Sequence, residues 1–115
     1  MSYGNVKVYP ATFASGATLT GQIDLGRAFS QVYLELPSAC TFNLNVQGSV
    51  NGSSYKRIYH PPADNDAVVT AVEITSATAG ANGAIVKLPV TMQYMKIESQ
   101  TAVANGLAVN LICVD

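Results

Sequence analysis

Apolar and polar residues alternate along most of this chain with the two-residue period of a β-strand. The clearest run is Cys40-Thr-Phe-Asn-Leu-Asn-Val-Gln-Gly, where Cys40, Phe42, Leu44 and Val46 share one face and Thr41, Asn43, Asn45 and Gln47 the other. This is the pattern of a half-buried strand. Val32, Leu34 and Leu36 repeat it, with Tyr33 and Glu35 facing out. Near the end, Leu107, Val109, Leu111 and Cys113 form one face, but Ile112 and Val114 make the opposite face apolar too. That last strand is therefore expected to be covered on both sides. Helix periodicity is nearly missing.

Turn residues punctuate these runs. Asn51-Gly52, Asn82-Gly83 and Asn105-Gly106 each precede a β-rich stretch, and Asn-Gly is favoured where a hairpin turn needs positive φ. Asn51-Gly52 predicts a hairpin joining the Phe42–Val50 strand to one around Ser54–Ile58. Pro37 and Pro89 fall at strand edges, and Pro61-Pro62 opens an irregular loop. Eight strands follow, at roughly 4–9, 18–25, 31–36, 41–49, 54–59, 67–74, 84–88 and 94–99. Residues 107–114 supply a ninth if the first segment is an arm. Residues 10–18 are small and weakly patterned and read as a loop, so residues 1–13 form either a detached arm or an edge strand. Short strands at this spacing predict an all-β, single-domain β-sandwich spanning 1–115, jelly-roll or immunoglobulin-like, with a closed barrel the lesser option.

The 115 residues suit one domain. Size scaling leaves about 6,000 Å² exposed out of about 17,000 Å² unfolded, enough for a core without staples. The start carries no basic segment followed by an apolar one, and no apolar run reaches membrane-spanning length. A soluble protein made in the cytoplasm is expected, with no membrane partner. Cys40 and Cys113 stand outside any metal or redox frame and are expected as buried thiols; a bridge between them is disfavoured in a reducing compartment.

Charge is scarce: six basic and seven acidic residues make up 11% of the chain and leave a net charge of −1, against about 25% charged residues in an average soluble protein. Only Lys56-Arg57 places two cations together, too few to neutralise a run of phosphates, so no nucleic-acid partner is expected. Catalytic material is equally thin. His60 is the sole histidine, which leaves no relay or metal pair. Asp64 and Asp66, with Asn65, are candidate ligands for a hard cation, but the lack of a third acidic ligand nearby favours a solvated loop. No nucleotide-binding glycine pattern occurs. The expectation is a protein without catalysis, cofactor or metal.

What remains is binding. Tyr33, Tyr55, Tyr59 and Tyr94 are candidates for an outward polar face, where tyrosine serves interfaces through its area and polar tip. Cross-strand pairs that merely shield a sheet explain each one equally well. The charge deficit weighs more, because interface centres are depleted of charge in the same way. It suits a subunit that keeps much of its surface against neighbours.

Several segments resemble small virion proteins of tailed bacteriophages. They are Ile23-Asp24-Leu25-Gly26-Arg27, Val32-Tyr33-Leu34-Glu35-Leu36-Pro37-Ser38, Gly48-Ser49-Val50-Asn51-Gly52-Ser53-Ser54-Tyr55, Tyr94-Met95-Lys96-Ile97 and Asn110-Leu111-Ile112-Cys113-Val114-Asp115. The central one is similar to a Ser-x-Asp-Gly-x-x-aromatic hairpin, with Asn51 in place of the commoner Asp. The resemblance implies a β-sandwich on the outer capsid surface of the virion, a decoration or cement protein that binds the major capsid protein and itself, often as a homotrimer. It implies an arm from Ser2 to Phe13 anchored by Tyr3, Val6, Val8, Tyr9 and Phe13. The loops His60–Asp66 and Ala77–Gly83, with Tyr33, Tyr55 and Tyr59, are the further candidate contacts. The alternative is a receptor- or glycan-binding module of a phage tail or head fibre; the lack of Trp counts against sugar binding.

Overall fold

Every regular element among the described residues is a strand, as the two-residue period predicts. The computed structural model describes residues 6–38, 40–59, 71–75, 82–89 and 92–115. In chain order the strands are β1 (Val6–Phe13), β2 (Ala17–Leu19), β3 (Ile23–Asp24), β4 (Gln31–Leu36), β5 (Leu44–Ser49), β6 (Lys56–Arg57), β7 (Glu73–Ile74), β8 (Ala84–Lys87), β9 (Tyr94–Val103) and β10 (Leu107–Val114). They form a four-stranded sheet, β1-β10-β4-β8, and a six-stranded sheet, β2-β9-β5-β6, in which β3 also pairs with β9 and β7 with β5. All pairings are antiparallel. Successive strands cross repeatedly between the sheets, which makes this a β-sandwich.

The core is what alternation requires. From the four-stranded sheet, Ala11, Phe13, Val32, Leu34, Leu36, Val109, Leu111 and Cys113 point inward. Leu44, Val46, Met95 and Ile97 meet them from the six-stranded sheet. Burying a side chain of this size contributes about 1.5–3 kcal/mol, so these inward rows hold the two layers together. Phe42 packs edge-on against Phe13, ring centroids 5.9 Å apart at 78°, an arrangement that favours aromatic pairs. Cys40 and Cys113 are free, buried thiols.

The structure departs from the sequence reading in several places. Residues 10–13 are strand rather than loop, because Ala11 and Phe13 continue the inward alternation and bury in the core. Pro10 is tolerated there because β1 is an edge strand. The expected 18–25 strand is divided into β2 and β3, which pair with separate stretches of the long β9, and a register shift falls within β2 between Ala17 and Leu19. Residues 41–43 lie outside β5; the Cys40 N–H instead turns back to the Pro37 carbonyl, 3.0 Å. The outward side of β5 is not half-exposed either, because Asn45 and Ser49 are buried.

The Asn51-Gly52 turn is longer than a two-residue hairpin, since it spans Val50 to Tyr55 between β5 and β6. Side chains build it. Ser49 Oγ accepts the N–H groups of Asn51 (3.3 Å) and Gly52 (3.0 Å), and Asn51 Oδ1 accepts those of Ser53 and Ser54, both at 3.0 Å. Only an acceptor oxygen is needed at position 51, which an aspartate would supply equally. Gly52 has φ +79°, and a Cβ there would press on the Tyr94 ring at 3.2 Å. Asn105-Gly106 closes the β9–β10 hairpin. The strand expected over 67–74 is seen as β7 alone, with 67–70 outside the described residues.

Candidate interaction surfaces

The two outward faces of the sandwich differ in chemistry. On the six-stranded sheet the outward residues are polar and bonded to one another. Arg57 on β6 donates from Nε to Glu98 Oε1 on β9 at 3.0 Å, with Nη2 at 2.9 Å from the same oxygen. Lys96 Nζ lies 4.4 Å from the centre of the Tyr55 ring. Gln100 Nε2 donates to Asn45 Oδ1 (3.1 Å) and Glu73 Oε2 (2.6 Å), while Asn45 Nδ2 donates to the Val72 carbonyl at 3.0 Å. These polar groups, spread over β5, β6, β7 and β9, are paired within the face.

The outward face of the four-stranded sheet is apolar by contrast. Its registers align Val8, Ile112, Tyr33 and Lys87 in one row across the strands and Pro10, Asn110, Glu35 and Ile85 in the next, with Val6, Val114 and Gln31 in a third. Val6, Val8 and Ile85 are 60%, 57% and 60% exposed. The polar groups on this face bond within it: Asn110 Nδ2 donates to Glu35 Oε1 (2.9 Å) and Tyr33 Oη to Gln31 Oε1 (2.7 Å). Glu35 and Lys87 are the charges in these rows, one of each sign.

The sequence-predicted residues are distributed unevenly over these surfaces. Val6 and Val8 are exposed on β1, which pairs along its whole length with β10, so residues 6–13 are an edge strand and not an arm. Tyr9 points inward, its Oη donating to the Leu25 carbonyl at 3.3 Å. Phe13 is a core residue, and this removes it from any contact surface. Tyr33 joins the apolar face, whereas Tyr55, Tyr59 and Tyr94 lie on the β5, β6 and β9 side, so the four tyrosines do not share one face. Burial pushes the Tyr55 phenol up, and Asp24 and Tyr94 push it further the same way. Tyr3, His60, Asp64, Asp66 and residues 77–81 of the Ala77–Gly83 loop lie outside the described residues.

Ile85, Pro10 and Lys87 belong to the apolar face and were not singled out from the sequence. The available signal was the apolar reverse side of β10, Ile112 and Val114, but their cross-strand neighbours depend on registers that no local pattern gives. Among the described residues, several clefts flank the sheets. A groove of about 420 Å³ beside β5 and β6 is lined by Gly48, Val50, Lys56, Ile58 and Met92 among others, and Val50 at its rim is 87% exposed. A cleft of about 290 Å³ at one end of the sandwich is lined by Thr41, Phe42, Thr101, Asn105 and neighbouring residues. Among the described residues no three His, Cys, Asp or Glu side chains stand close enough to hold a metal ion.

The chain matches no protein-family model and no curated protein sequence. Solved structures do match it in fold. The SPBc2 prophage-derived protein YomS aligns over 100% of this chain and 99% of its own, with TM-score 0.56 and 11% identity. A carbohydrate-binding module, CBM32-1 from a family 31 glycoside hydrolase of Clostridium perfringens, aligns over 94% of this chain and 76% of its own, with TM-score 0.52 and 15% identity. The enzyme CpGH89 of the same organism, solved with its substrate GlcNAc-α-1,4-galactose, aligns over 99% of this chain but 15% of its own, with TM-score 0.52 and 12% identity. At these identities the likeness is one of fold: this is the sandwich seen in a prophage-derived protein and in a carbohydrate-binding module.

Proposed function

We propose that this chain is a non-catalytic structural protein of a tailed-phage particle, which decorates the outside of the capsid and stabilises it by bridging capsid subunits. The observation that carries the reading is the apolar outward face of the four-stranded sheet. Exposed apolar patches of this kind mark protein contacts, and here Val6, Val8, Ile85, Ile112 and Val114 gather on one side while the opposite sheet carries paired polar side chains. The charge content of 11% agrees, because a subunit surface covered by neighbours needs few charges. The whole-length fold likeness to a prophage-derived protein agrees as well. Its partners on this reading are the major capsid protein and further copies of itself, and its place is the outer surface of the virion. The bridging requires no catalytic group. An area buried on two subunits at once resists their separation.

The test is cosedimentation of the purified protein with capsids that lack it. Saturable binding that raises the temperature at which the capsids rupture is expected. Absence of binding overturns the reading. A second reading, a glycan- or receptor-binding module, is favoured by the neutral cleft where Phe42 stands among Thr41, Thr101 and Asn105, and by the carbohydrate-binding neighbour. Saturable binding to host-surface polysaccharide, abolished by Phe42→Ala in a folded protein and accompanied by no capsid binding, would put that reading first.

A further inference from the structure

We infer that the apolar outward face of the four-stranded sheet is a two-fold contact with a second copy of this chain, the sheets stacked face to face. The inference rests on the reading above only in taking this face as a protein contact. Its occupant follows from charge and size. A face with several unbalanced charges would repel its own copy, whereas this one carries Glu35 and Lys87 in adjacent rows on adjacent strands. Consider a two-fold axis crossing the strands midway between those rows. It lays the row of Val8 and Ile112 over the row of Ile85 in the other copy. It also brings Lys87 of one copy about one strand spacing, roughly 4.8 Å, to the side of Glu35 in the other. A lysine side chain spans that offset, and Glu35 Oε1 is already oriented by Asn110 Nδ2. Strand by strand, Val8 then faces Pro10, Ile112 faces Asn110, Tyr33 faces Glu35 and Ile85 faces the aliphatic stem of Lys87, and each carboxylate has an ammonium one strand to its side.

The size suits a pair rather than a larger assembly. Four strands about 4.8 Å apart, of 8, 8, 6 and 4 residues, cover roughly 400 Å² in projection, so two copies bury on the order of 800 Å². That is below the area of a stable specific contact, and it describes a weak, reversible dimer. An isologous contact of this kind closes after two copies. It therefore gives a dimer in place of the trimer that the phage resemblance implies.

Sedimentation velocity on the whole chain across roughly 10 to 500 μM tests this, with the monomer mass of 12.0 kDa as reference. A concentration-dependent shift to twice that mass is expected. Val8→Glu should weaken the dimer by more than tenfold without changing the circular dichroism, since Val8 is exposed in the monomer. Glu35→Lys and Lys87→Glu should each weaken it, and the double exchange should restore it. A mass that stays monomeric throughout, a trimer, or a dimer indifferent to Val8→Glu overturns the contact. The two readings separate cleanly. A monomer that still cosediments with capsids overturns the two-fold contact alone, and a dimer that binds no capsid supports the contact while overturning decoration.

Discussion

Tyr55 is the one described residue whose buried side-chain polar atom lacks a hydrogen-bond partner. Its ring earns its place by lying beneath Lys96, 4.4 Å from the ammonium, while the hydroxyl is desolvated without compensation. Removing a buried polar atom that has no partner abolishes a desolvation cost of about 1–3 kcal/mol, and phenylalanine keeps the ring for the cation. Tyr55→Phe is therefore expected to leave stability unchanged or to raise it by on the order of 1 kcal/mol. Chemical denaturation of the two proteins measures this, and a drop of more than about 1 kcal/mol would mean that the hydroxyl is bonded after all. Tyr55 also shows what sequence offers at this scale. Tyrosine on a polar strand is equally an interface anchor or a sheet cover, and only the neighbour across the sheet decides between them.

At the scale of elements, the β3–β4 connection holds the end of β10. Arg27 pairs with Asp115 and stacks on the Phe29 ring, its guanidinium carbon 4.2 Å from the ring centre. Ser30 Oγ donates to the Val114 carbonyl at 3.1 Å. The hydrogen bond from Arg27 holds the Asp115 carboxyl below the usual carboxylate range; partial burial opposes this, and the charges of Arg27 and Lys7 reinforce it. A carboxyl whose folded pKa is depressed stabilises the fold fully above its unfolded value of about 3.9 and loses that contribution as pH falls through the folded value. The native protein is thus expected to melt slightly above Asp115→Asn at neutral pH, with the gap closing below about pH 4. Melting curves from pH 7 to about pH 2 check it, and a gap that persists unchanged at the acid end refutes it. The pair itself was hidden in the sequence, because Arg27 and Asp115 are joined only through the β10–β4 register. Strands with clean alternation, β4 and β10 above all, were legible at their observed bounds. Boundaries failed where burial had another source: Ala11 and Phe13 looked like loop residues until the edge position of β1 accounted for Pro10, and Asn45 looked solvated until β7 and β9 supplied its partners.

For the whole molecule, the sequence conveyed the sandwich and the thiol burial, but not the contrast between the two outer faces. That contrast arises from which strands become neighbours, and it turned Val6 and Val8 from arm anchors into part of a sheet face. The same topology sets how the molecule opens. Cys113 sits in β10, paired on one side with β1 and on the other with β4, so exposing it requires breaking the four-stranded sheet. Cys40 is buried too, yet it lies in a connection between strands, held by its N–H to the Pro37 carbonyl. Burial pushes both thiols up, which slows each one in the native state. Local opening costs less than global unfolding, and a loop opens locally where a doubly paired strand does not. Thiol labelling followed by peptide mass analysis at rising denaturant is therefore expected to modify Cys40 first, with Cys113 following the global unfolding transition. Simultaneous labelling throughout would mean that the loop and the sheet open as one unit. Labelling of Cys113 ahead of Cys40 would contradict the central position of β10 on which both the core and the apolar face depend.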